Sequence, residues 1–474
     1  MPDNDPDLLG INRGSVVAPA GCGKTELIVR ALTRHSGPKP ILVLTHTNAG
    51  VAALRGRLKR SGVATSAYRL ATIDAWAIRT IQAFPTRSGH DPAILEGERP
   101  DYQAIRNFAL NLLQQQHIDD IIDASYDRLL VDEYQDCLTI QHKLVSELAR
   151  TLPCCVMGDP VQAIFGFGQN RLVEWDNHVI PTFPAAAELN QPWRWINAGA
   201  QELGQWLLDT RTRFLNGQAI DLGESPNAVS WIELHGTPRD RDKHLKACRT
   251  RPPNAQGTVL VIADSTNPDA QRRFASQTPG AVAIESVDLR DFVAFAQDFD
   301  IEAEDALSAA ATFAQSMMTG IGATDLVRRV GVLRRGRNRR DASQLERQAM
   351  AFEDQRTFNS LAVLFSSMSE AGGVRTYRPT VLSACLRAIN RCEADATLSF
   401  AEAATFEREQ YRHAGREIPK RAVGSTLLLK GLESDVVVIH DAHRLNARNL
   451  YVALTRGARR TVICSRYSSW TPTW

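Results

Sequence analysis

The stretch VVAPAGCGKTELIV, residues Val16–Val29, decides the fold that this sequence predicts. Two valines lead into a glycine-rich turn, and a run with apolar residues at helical spacing follows it. Gly21 and Gly23 lack a Cβ atom, so the backbone can curl and direct several N–H groups at one anion. The positive end of the following helix adds its field at the same place. We therefore predict a strand, a phosphate-binding loop and a helix, with Lys24 reaching the phosphates and the Thr25 hydroxyl helping to hold Mg²⁺.

Apolar runs of strand length alternate with helical patterns in the first part of the chain. Ile41–Thr45 and Leu129–Asp132 are typical of parallel strands that are buried on both faces. Leu70–Ile81 has the pattern of a strand followed by a helix, and a further strand begins at Cys154. Polar segments follow these strands, where doubly wound sheets bind their ligands. The sequence therefore predicts an α/β fold with its ligand site at the carboxyl ends of the strands.

The remainder of the chain predicts a second sheet and a large group of helices. We expect the second sheet to begin after Pro184, and the pattern from about Val287 to His413 is almost wholly helical. A helical insertion would therefore separate two parts of one α/β domain. Residues 84–101, which three prolines and two glycines interrupt, are expected to form a loop. The later strands are predicted at Thr258–Ala263, Val423–His440 and Thr461–Ser465.

Composition excludes several classes of protein. The 474 residues are 43% hydrophobic and 23% charged, as in a soluble globular protein with a large core. No apolar run approaches the ~20 residues that cross a membrane, and the acidic N-terminus is unlike a secretory signal. We therefore expect a cytoplasmic protein with no membrane partner. The eight cysteines form no Cys-x-x-Cys pair, which argues against a zinc or iron–sulfur site.

The net charge of only +2 means that any nucleic-acid surface must be a local patch. The densest candidate holds seven arginines between Arg328 and Arg340. Such a run fits either a solvated charged face or a surface that contacts phosphates, and the sequence leaves both interpretations open.

Acidic, amide and guanidinium side chains occur where a site that hydrolyses nucleotides would need them. Asp132 and Glu133 close a buried strand, so the first could hold Mg²⁺ and the second could orient and deprotonate an attacking water. Gln162 follows another strand, where its amide could sense the γ-phosphate. Arg194 and Arg456 could place positive charge on the transferring phosphoryl group, as arginine fingers do. Taken alone, each arginine is more often a surface residue or an ion-pair partner.

Eight segments resemble, in order, the motifs of the UvrD/Rep-type branch of the superfamily 1 helicases. The resemblance covers nearly the whole chain outside the helical insertion. It implies two RecA-like P-loop domains with ATP in the cleft between them and single-stranded DNA across their upper face. Translocation would run 3′ to 5′. The segments are APAGCGKT, THTNAGVAALRGRL, ATIDAW, LLVDEYQDC, GDPVQAIFGF, LNQPWR, LLLKGLESDVVVI and LYVALTRGA.

The resemblance also implies a division into domains, each RecA-like domain being a parallel sheet flanked by helices. Residues 1–84 and 118–183 would form the first RecA-like domain, and residues 85–117 a small first accessory region. Residues 184–280 and 418–474 would form the second RecA-like domain, with residues 281–417 as its helical insertion.

Matching positions also carry the nucleotide-binding residues of the family onto this chain. The resemblance implies Trp193 against the adenine and Glu433 at the ribose, with Thr25 and Asp132 holding Mg²⁺. The loop residues that would cradle the phosphates are Ala20, Gly21, Cys22, Gly23, Lys24 and Thr25. The implied catalytic residues are Lys24, Asp132, Glu133, Gln162, Arg194 and Arg456.

The resemblance assigns a second set of residues to DNA. Phe165 and Phe167 match aromatic residues on which bases stack, and each stacked base contributes ~1–3 kcal/mol without reading sequence. Core packing is the alternative for these two rings. Thr47, Asn48 and Thr72 would hold phosphates through their hydroxyl and amide groups.

The chain departs from the family pattern at several positions. No glutamine precedes Val16, although the family uses one to recognise adenine, so the preference for ATP over other nucleotides stays open. His46 stands where the family has an aromatic residue, and Leu427 where it often has a histidine. Asp74 replaces a histidine, and an acid near DNA phosphates would weaken that contact.

The small accessory regions leave three functions open. The compact form resembles the helicase-like subunit of Gabija-type anti-phage defence, which works beside a nuclease with an OLD-like ATPase domain. The second possibility is a free-standing repair or replication helicase. The third is a nucleotide-dependent scaffold that senses DNA and hydrolyses nucleotide weakly. All three imply single-stranded DNA or DNA ends as a partner, with ATP and Mg²⁺ at the nucleotide site.

Overall fold

The computed structural model describes residues 5–95, 100–166, 171–337, 339–413 and 419–474. The chain divides into two compact units. The first comprises Met1–His235 and Lys430–Trp474, and the second comprises Gly236–Leu429.

A parallel sheet of six strands forms the centre of the first unit as far as it is described. The apolar strand residues alternate between its two faces: Leu42 and Leu44 belong to one buried cluster, and Ile41 and Val43 to another. Both faces are therefore covered, as in doubly wound folds. The strands are β1 (Arg13–Val17), β2 (Ile41–Thr45), β3 (Tyr68–Thr72), β4 (Leu129–Val131), β5 (Cys154–Gly158) and β6 (Ala185–Glu188), in the order β3-β2-β4-β5-β1-β6.

Helices follow most of these strands and pack on the two faces. They are α1 (Lys24–Arg34), α2 (Asn48–Arg60), α3 (Ile73–Ala83), α4 (Pro85–Ser88), α5 (Tyr102–Gln114), α6 (Asp119–Ser125), α7 (Thr139–Thr151), α8 (Ile180–Thr182), α9 (Trp193–Ala198) and α10 (Gln201–Leu215). The predicted α/β fold with parallel sheets flanked by helices is confirmed.

Two expectations about this unit are wrong. The chain after Pro184 does not begin a second sheet, because β6 pairs in parallel with β1 at the edge of the first sheet. Its alanine-rich, largely exposed sequence carries no apolar pattern that would assign it to either sheet. Residues 84–101 are not simply a loop, since Pro85 begins α4, Gly89 ends it at φ 65°, and Pro92–Leu95 form a 3₁₀ turn. Proline is favoured in the first turn of a helix and glycine just after its end, so these residues bound a short helix here.

Two further strands of the first unit precede the second unit in the chain. They are β7 (Ile220–Asp221) and β8 (Val229–Glu233). The second unit then contains α11 (Asp240–Cys248), β9 (Val259–Ile262), α12 (Pro268–Gln277), β10 (Val282–Ala283), α13 (Arg290–Asp298), α14 (Ala306–Gln315), β11 (Met318–Thr319), α15 (Ala323–Arg334), α16 (Gln344–Gln355), α17 (Phe358–Glu370), β12 (Arg375–Thr376), α18 (Pro379–Ala394), α19 (Phe400–His413), β13 (Arg421–Gly424) and α20 (Thr426–Leu429). The chain returns to the first unit with β14 (Ser434–Ile439), α21 (Ala447–Leu454), β15 (Gly457–Ser465) and β16 (Ser469–Trp470).

The later strands are also mostly parallel. In the first unit β15 lies between β8 and β14 and pairs with both in parallel, while β16 pairs with β7 in antiparallel fashion. In the second unit β13 lies between β9 and β10 and pairs with both in parallel. The predicted strands near residues 258–263 and 461–465 are therefore present, while the segment 423–440 contains the end of β13 and all of β14 with the short helix α20 between them.

The second unit is mainly helical between residues 287 and 413, as the sequence predicts. Phe292, Leu361 and Phe365 are fully buried in one apolar cluster. Phe295 stacks on Phe313 with the ring centroids 3.9 Å apart and an interplanar angle of 5°. The phenylalanine-rich faces of α13 and α17 thus form the core of this helical region.

The arginine-rich segment lies in the second unit, and part of it is committed to ion pairs. Arg334 bonds Glu353 and Asp354, each at 2.7 Å, while Glu346 accepts from both Arg329 and Arg340 at 3.1 Å. These bonds join α15 and the residues after it to α16. Arg329, Arg334 and Arg340 therefore serve to hold this part of the fold together through ion pairs. Within the described ranges, every helix is too short or too polar to span a lipid bilayer.

The two phenylalanines Phe365 and Phe406 provide a matched test of the helical core. Phe365→Ala is expected to cost about 3–5 kcal/mol in the free energy of unfolding, because the ring is fully buried. Phe406→Ala is expected to cost at most about 1 kcal/mol, because that ring is 43% exposed and loses a cation–π contact with the Arg391 guanidinium that lies over it. Urea unfolding followed by circular dichroism measures both. Equal losses would contradict the assigned core.

Candidate functional site

The loop between β1 and α1 requires glycine at two positions. Gly21 and Gly23 adopt positive φ angles of 70° and 93°, which favour glycine. A Cβ atom on Gly21 would lie 2.5 Å from Cζ3 of Trp195, a side chain that is 1% exposed and donates its indole N–H to the carbonyl of Gly457 at 2.9 Å. The loop therefore passes close to a fixed indole and has no space for a side chain there.

The first turn of α1 differs from those of the two helices that follow it. Thr47 and Thr72 cap α2 and α3, accepting hydrogen bonds from the N–H groups of Gly50 and Ala75 at 3.0 Å. The N-terminus of α1 has Gly23 at the capping position and no side-chain cap. Its first N–H groups are therefore available to an anion at the loop.

The Lys24 side chain lies between two carboxylates at the end of β4. Its Nζ is 2.9 Å from Oδ1 of Asp132 and 2.5 Å from Oε1 of Glu133. Burial lowers the pKa of Lys24, but the two carboxylates outweigh it and the net pKa is raised. Burial raises the pKa of Glu133, yet the charges of Lys24 and Lys430 hold that pKa at about 2. Lys24 is thus a protonated cation, and Glu133 an ionised acid, at neutral pH.

The backbone at Glu133 is strained. Its φ of 54° and ψ of 41° are left-handed, which costs a residue with a side chain roughly 1–3 kcal/mol. Its N–H donates to Oδ1 of Asp132 at 2.9 Å, and Nε2 of Gln135 donates to its Oε2 at 2.6 Å. These bonds fix the direction of both acids, and burial raises the pKa of Asp132 against the attraction of Lys24.

Gln162 is held by side chains from several parts of the unit. Its Nε2 donates to Oδ2 of Asp159 at 2.9 Å, and its Oε1 accepts from Nη2 of Arg456 at 3.4 Å. Asp159 is fully buried, and its Oδ1 accepts from Nε of Arg211 at 3.1 Å. The sequence does not predict the contact of Arg211 with Asp159, because an arginine within a helix gives no sign of a buried acid 52 positions away.

The two predicted arginines both reach this region. Burial, and then the charge of Arg194, lowers the pKa of Arg456 to about 10, so the side chain stays protonated at neutral pH. Nη1 of Arg194 donates to the carbonyl of Thr455 at 2.7 Å, and its Nη2 lies 2.5 Å from Oε1 of Glu433. Glu433 and Arg194 were predicted to meet different parts of a nucleotide, and here they pair with each other. Half-buried Trp193 lies beside the loop, with Cδ1 3.2 Å from the place of a Cβ on Gly23.

The described residues predicted to contact DNA lie at or after the carboxyl ends of β2, β3 and β5. Thr47 and Thr72 use their hydroxyl oxygens as helix caps, which leaves each hydroxyl proton free to donate, and Asn48 begins α2. Phe165 is half-buried, with its ring centroid 5.6 Å from that of His46. Phe167 lies outside the described residues.

Asp74 is less repulsive than the sequence alone suggests. Nε and Nη2 of Arg106 bond its two carboxylate oxygens at 2.8 and 2.6 Å, and Gln141 adds a bond of 3.0 Å. Burial raises the pKa of Asp74, but the Arg106 guanidinium outweighs it and the net pKa is lowered. The carboxylate is ionised, and the bound guanidinium balances its charge.

Asp136 and Lys430 form a buried ion pair that the sequence analysis did not identify. Nζ of Lys430 lies 2.7 and 2.6 Å from the carboxylate oxygens of Asp136 and 2.6 Å from the carbonyl oxygen of Gln162. Both residues lie inside segments that resemble helicase motifs, but nothing in either segment indicates that the two side chains pair. Only the fold brings them together, since 294 positions separate them.

Comparison with known proteins gives a partial match to one family. Residues 93–173 match the family model described as UvrD/REP helicase N-terminal domain, a segment that holds Asp132, Glu133 and Gln162. The chain is 32% identical over 80 residues to one subunit of the ATP-dependent helicase/nuclease of Oenococcus oeni, covering 17% of this chain and 7% of that protein. It is 39% identical over 104 residues to the protein of the same name from Lacticaseibacillus casei, covering 19% and 8%. These partial matches support the resemblance of this chain to the UvrD-like superfamily 1 helicases.

Two solved structures show weak overall similarity. An arterivirus nonstructural protein 10 helicase in complex with DNA has a TM-score of 0.36 and 8% identity, covering 97% of this chain and 64% of that chain. The Pif1 helicase of Candida albicans has a TM-score of 0.34 and 12% identity, covering 59% and 55%. We draw no conclusion on function from these two.

Gly21→Ala and Gly62→Ala test the close approach of the loop to Trp195. Both glycines have φ near 70°, so each substitution carries a strain of about 1–2 kcal/mol, but no atom lies within 4 Å of a Cβ on Gly62. We expect Gly21→Ala to be about 1–3 kcal/mol less stable than Gly62→Ala, since it adds an overpacked contact. It should also abolish binding of a fluorescent ATP analogue, which Gly62→Ala retains. Equal stability and equal binding would show that the loop is not constrained at Gly21.

Proposed function

We propose that this chain is an ATP-dependent DNA helicase or translocase of the UvrD/Rep type, which moves 3′ to 5′ on single-stranded DNA. The observation that carries the proposal is the position of Lys24, which follows the glycine loop after β1 and contacts two carboxylates at the end of β4, two strands away in the sheet. The partial family match supports the same assignment. All the described residues that we assign to nucleotide lie in the first unit.

The proposed reaction is hydrolysis of ATP to ADP and inorganic phosphate. Water attacks the γ-phosphorus and its proton passes to the Glu133 carboxylate, while the bond from phosphorus to the bridging oxygen breaks and ADP takes the electron pair. The ionised state and fixed direction of Glu133 suit this role. Gln162 and the guanidinium groups of Arg194 and Arg456 would contact the γ-phosphate and stabilise its developing charge.

Lys24 must change partners for this reaction. Its ammonium now pairs with both Asp132 and Glu133, and the triphosphate would attract it away from them. Thr25 and Asp132 offer the hydroxyl and carboxylate oxygens that Mg²⁺ prefers. Once Lys24 has moved to the phosphates, the negative charges of Asp132 and Glu133 would favour a metal cation in its place. When bound, Mg²⁺ would neutralise charge on the phosphate oxygens.

Glu433 and Trp193 would complete the nucleotide site. For Glu433 to meet the ribose and Arg194 to meet the γ-phosphate, their ion pair must open, and 54% of the Glu433 side chain is exposed to solvent in the present arrangement. Trp193 lies next to the loop and offers an aromatic face to adenine. The division into domains stays a prediction. The first RecA-like domain would comprise residues 1–84 and 118–183, with 85–117 as its accessory region, and the second would comprise 184–280 and 418–474, with 281–417 as its helical insertion.

The DNA-binding part of the proposal rests on residues near the same sheet edge. Phe165 would stack on bases, and Thr47, Asn48 and Thr72 would donate hydrogen bonds to phosphates. Phe167 keeps the same assignment by its position in the motif. This arrangement holds a strand without reading its sequence, as a translocase requires.

A role beside a nuclease is a second candidate function. The two named relatives are described as parts of a helicase/nuclease, and the compact motif set resembles the helicase-like subunit of Gabija-type defence. We therefore propose an OLD-like nuclease as the partner to test, by size-exclusion chromatography of the mixed purified proteins. Co-elution at a defined ratio supports the complex, and separate elution favours a free-standing helicase.

Turnover of ATP with and without single-stranded DNA tests the proposed reaction. We expect DNA to stimulate the wild-type protein, and Glu133→Gln to reduce turnover by roughly 10²–10⁴-fold because it removes the general base. Glu147→Gln is the matched control, since Glu147 pairs with Arg150 on α7 outside the site, and it should behave as wild type. A folded wild-type protein that binds DNA but never turns over ATP would support the scaffold function instead.

Displacement of streptavidin from biotinylated oligonucleotides tests the direction of movement. A 3′-to-5′ translocase should release streptavidin from the 5′ end in an ATP-dependent manner and leave the 3′ end bound. The Glu133→Gln protein should release neither. Preferential release from the 3′ end would contradict the proposed polarity while leaving the ATPase assignment intact.

A further inference from the structure

We propose that Lys430 is a positioning residue that couples the state of the Phe165 ring to the general base Glu133, and so sets how strongly DNA stimulates ATP hydrolysis. The inference rests on the proposed function and assigns a regulatory role within the same site. Lys430 stands in the KGLE segment, and no role is predicted for it from the sequence.

The Lys430 ammonium is held by three oxygen atoms. It bonds both carboxylate oxygens of Asp136, at 2.7 and 2.6 Å, and the backbone carbonyl oxygen of Gln162 at 2.6 Å. An ammonium has three N–H donors, so these contacts can use all of them. The side chains of Lys430 and Asp136 are only 8% and 3% exposed, which fixes the cation in one place.

The same ammonium lies against the ring that we assign to DNA. Nζ is 4.6 Å from the centroid of Phe165, within the range of a cation–π contact. A base that stacks on Phe165 would shift the ring or alter its electrostatic environment. Either change would act directly on the buried cation, whose position also depends on the Gln162 carbonyl.

The contacts of Lys430 continue through Asp136 and Gln135 to the general base Glu133. Nε2 of Gln135 is 3.4 Å from Oδ2 of Asp136 and donates to Oε2 of Glu133 at 2.6 Å. Oε1 of Gln135 accepts from the backbone N–H of Asp159 at 3.1 Å. The carboxylate that Lys430 holds is therefore one amide group away from the acid that orients water.

Lys430 also contacts the loop that carries the proposed γ-phosphate sensor. It binds the main chain of Gln162, while the side chain of Gln162 meets Asp159 and Arg456. One cation thus touches the acidic segment, the sensor loop and the stacking ring. A purely structural ion pair would need only the first of these contacts, so the arrangement favours a role in coupling.

Three variants separate coupling from structure. Lys430→Met keeps the length of the side chain and removes its charge, and Lys430→Arg keeps the charge. Lys143→Met is the matched control, because Lys143 is exposed on α7. For each protein the measurements are the melting temperature, the Kd for single-stranded DNA, and the ATPase kcat with and without DNA.

We expect Lys430→Met to reduce the ratio of DNA-stimulated to basal kcat by roughly 5- to 150-fold, the usual range for coupling between two sites, and by more than it changes the Kd for DNA. Lys430→Arg should recover part of the ratio, and Lys143→Met should match wild type. If Lys430→Met does not fold, Lys430→Gln, which keeps two N–H donors, carries the same expectation.

Two results would overturn this proposal while leaving the proposed ATPase function intact. A wild-type ratio in the folded Lys430→Met protein shows that the charge does not couple the sites. An equal fall of basal and stimulated kcat shows a structural role only. Absence of any turnover in the wild-type protein is a different failure, because it overturns the proposed ATPase function together with this inference.

Discussion

The salt bridge from Lys24 to Asp132 and Glu133 is the interaction on which the rest of the site depends. Two acids at the end of a buried strand repel each other, and burial disfavours their charged forms. The Lys24 ammonium, 2.9 and 2.5 Å from them, offsets part of this repulsion and of the cost of burial. The lysine that we propose to bind phosphate and the two acids that we propose to serve the metal and the attacking water therefore lie in one place, with opposite charges in contact.

The parallel sheet creates this meeting point. β1, β5 and β4 are neighbours in the strand order, so the segments that follow them emerge at one edge. The segment after β1 supplies Lys24, that after β4 supplies Asp132 and Glu133, and that after β5 supplies Asp159 and Gln162. Residues far apart in the chain thus become neighbours because of strand order alone.

Much of this could be predicted from the sequence, for physical reasons. Strands buried on both faces are continuous apolar runs, and a phosphate loop needs glycines at fixed positions, so β2, β4 and the Gly21–Gly23 turn are recognisable without a structure. β6 could not be assigned, because an exposed alanine-rich edge strand has no apolar period. The pairs Asp136–Lys430, Asp159–Arg211 and Asp74–Arg106 were also invisible, since long-range ion pairs follow from the fold and leave no spacing in the sequence.

We propose that the acids now bound by Lys24 form a site for a metal–nucleotide complex. Isothermal titration calorimetry of a non-hydrolysable ATP analogue, with and without Mg²⁺, in the wild-type and Asp132→Asn proteins, tests it most directly. Mg²⁺ should strengthen binding to the wild-type protein and have much less effect on Asp132→Asn, since that substitution removes a carboxylate that we propose to hold the cation. An equal dependence on Mg²⁺ in both proteins would contradict it.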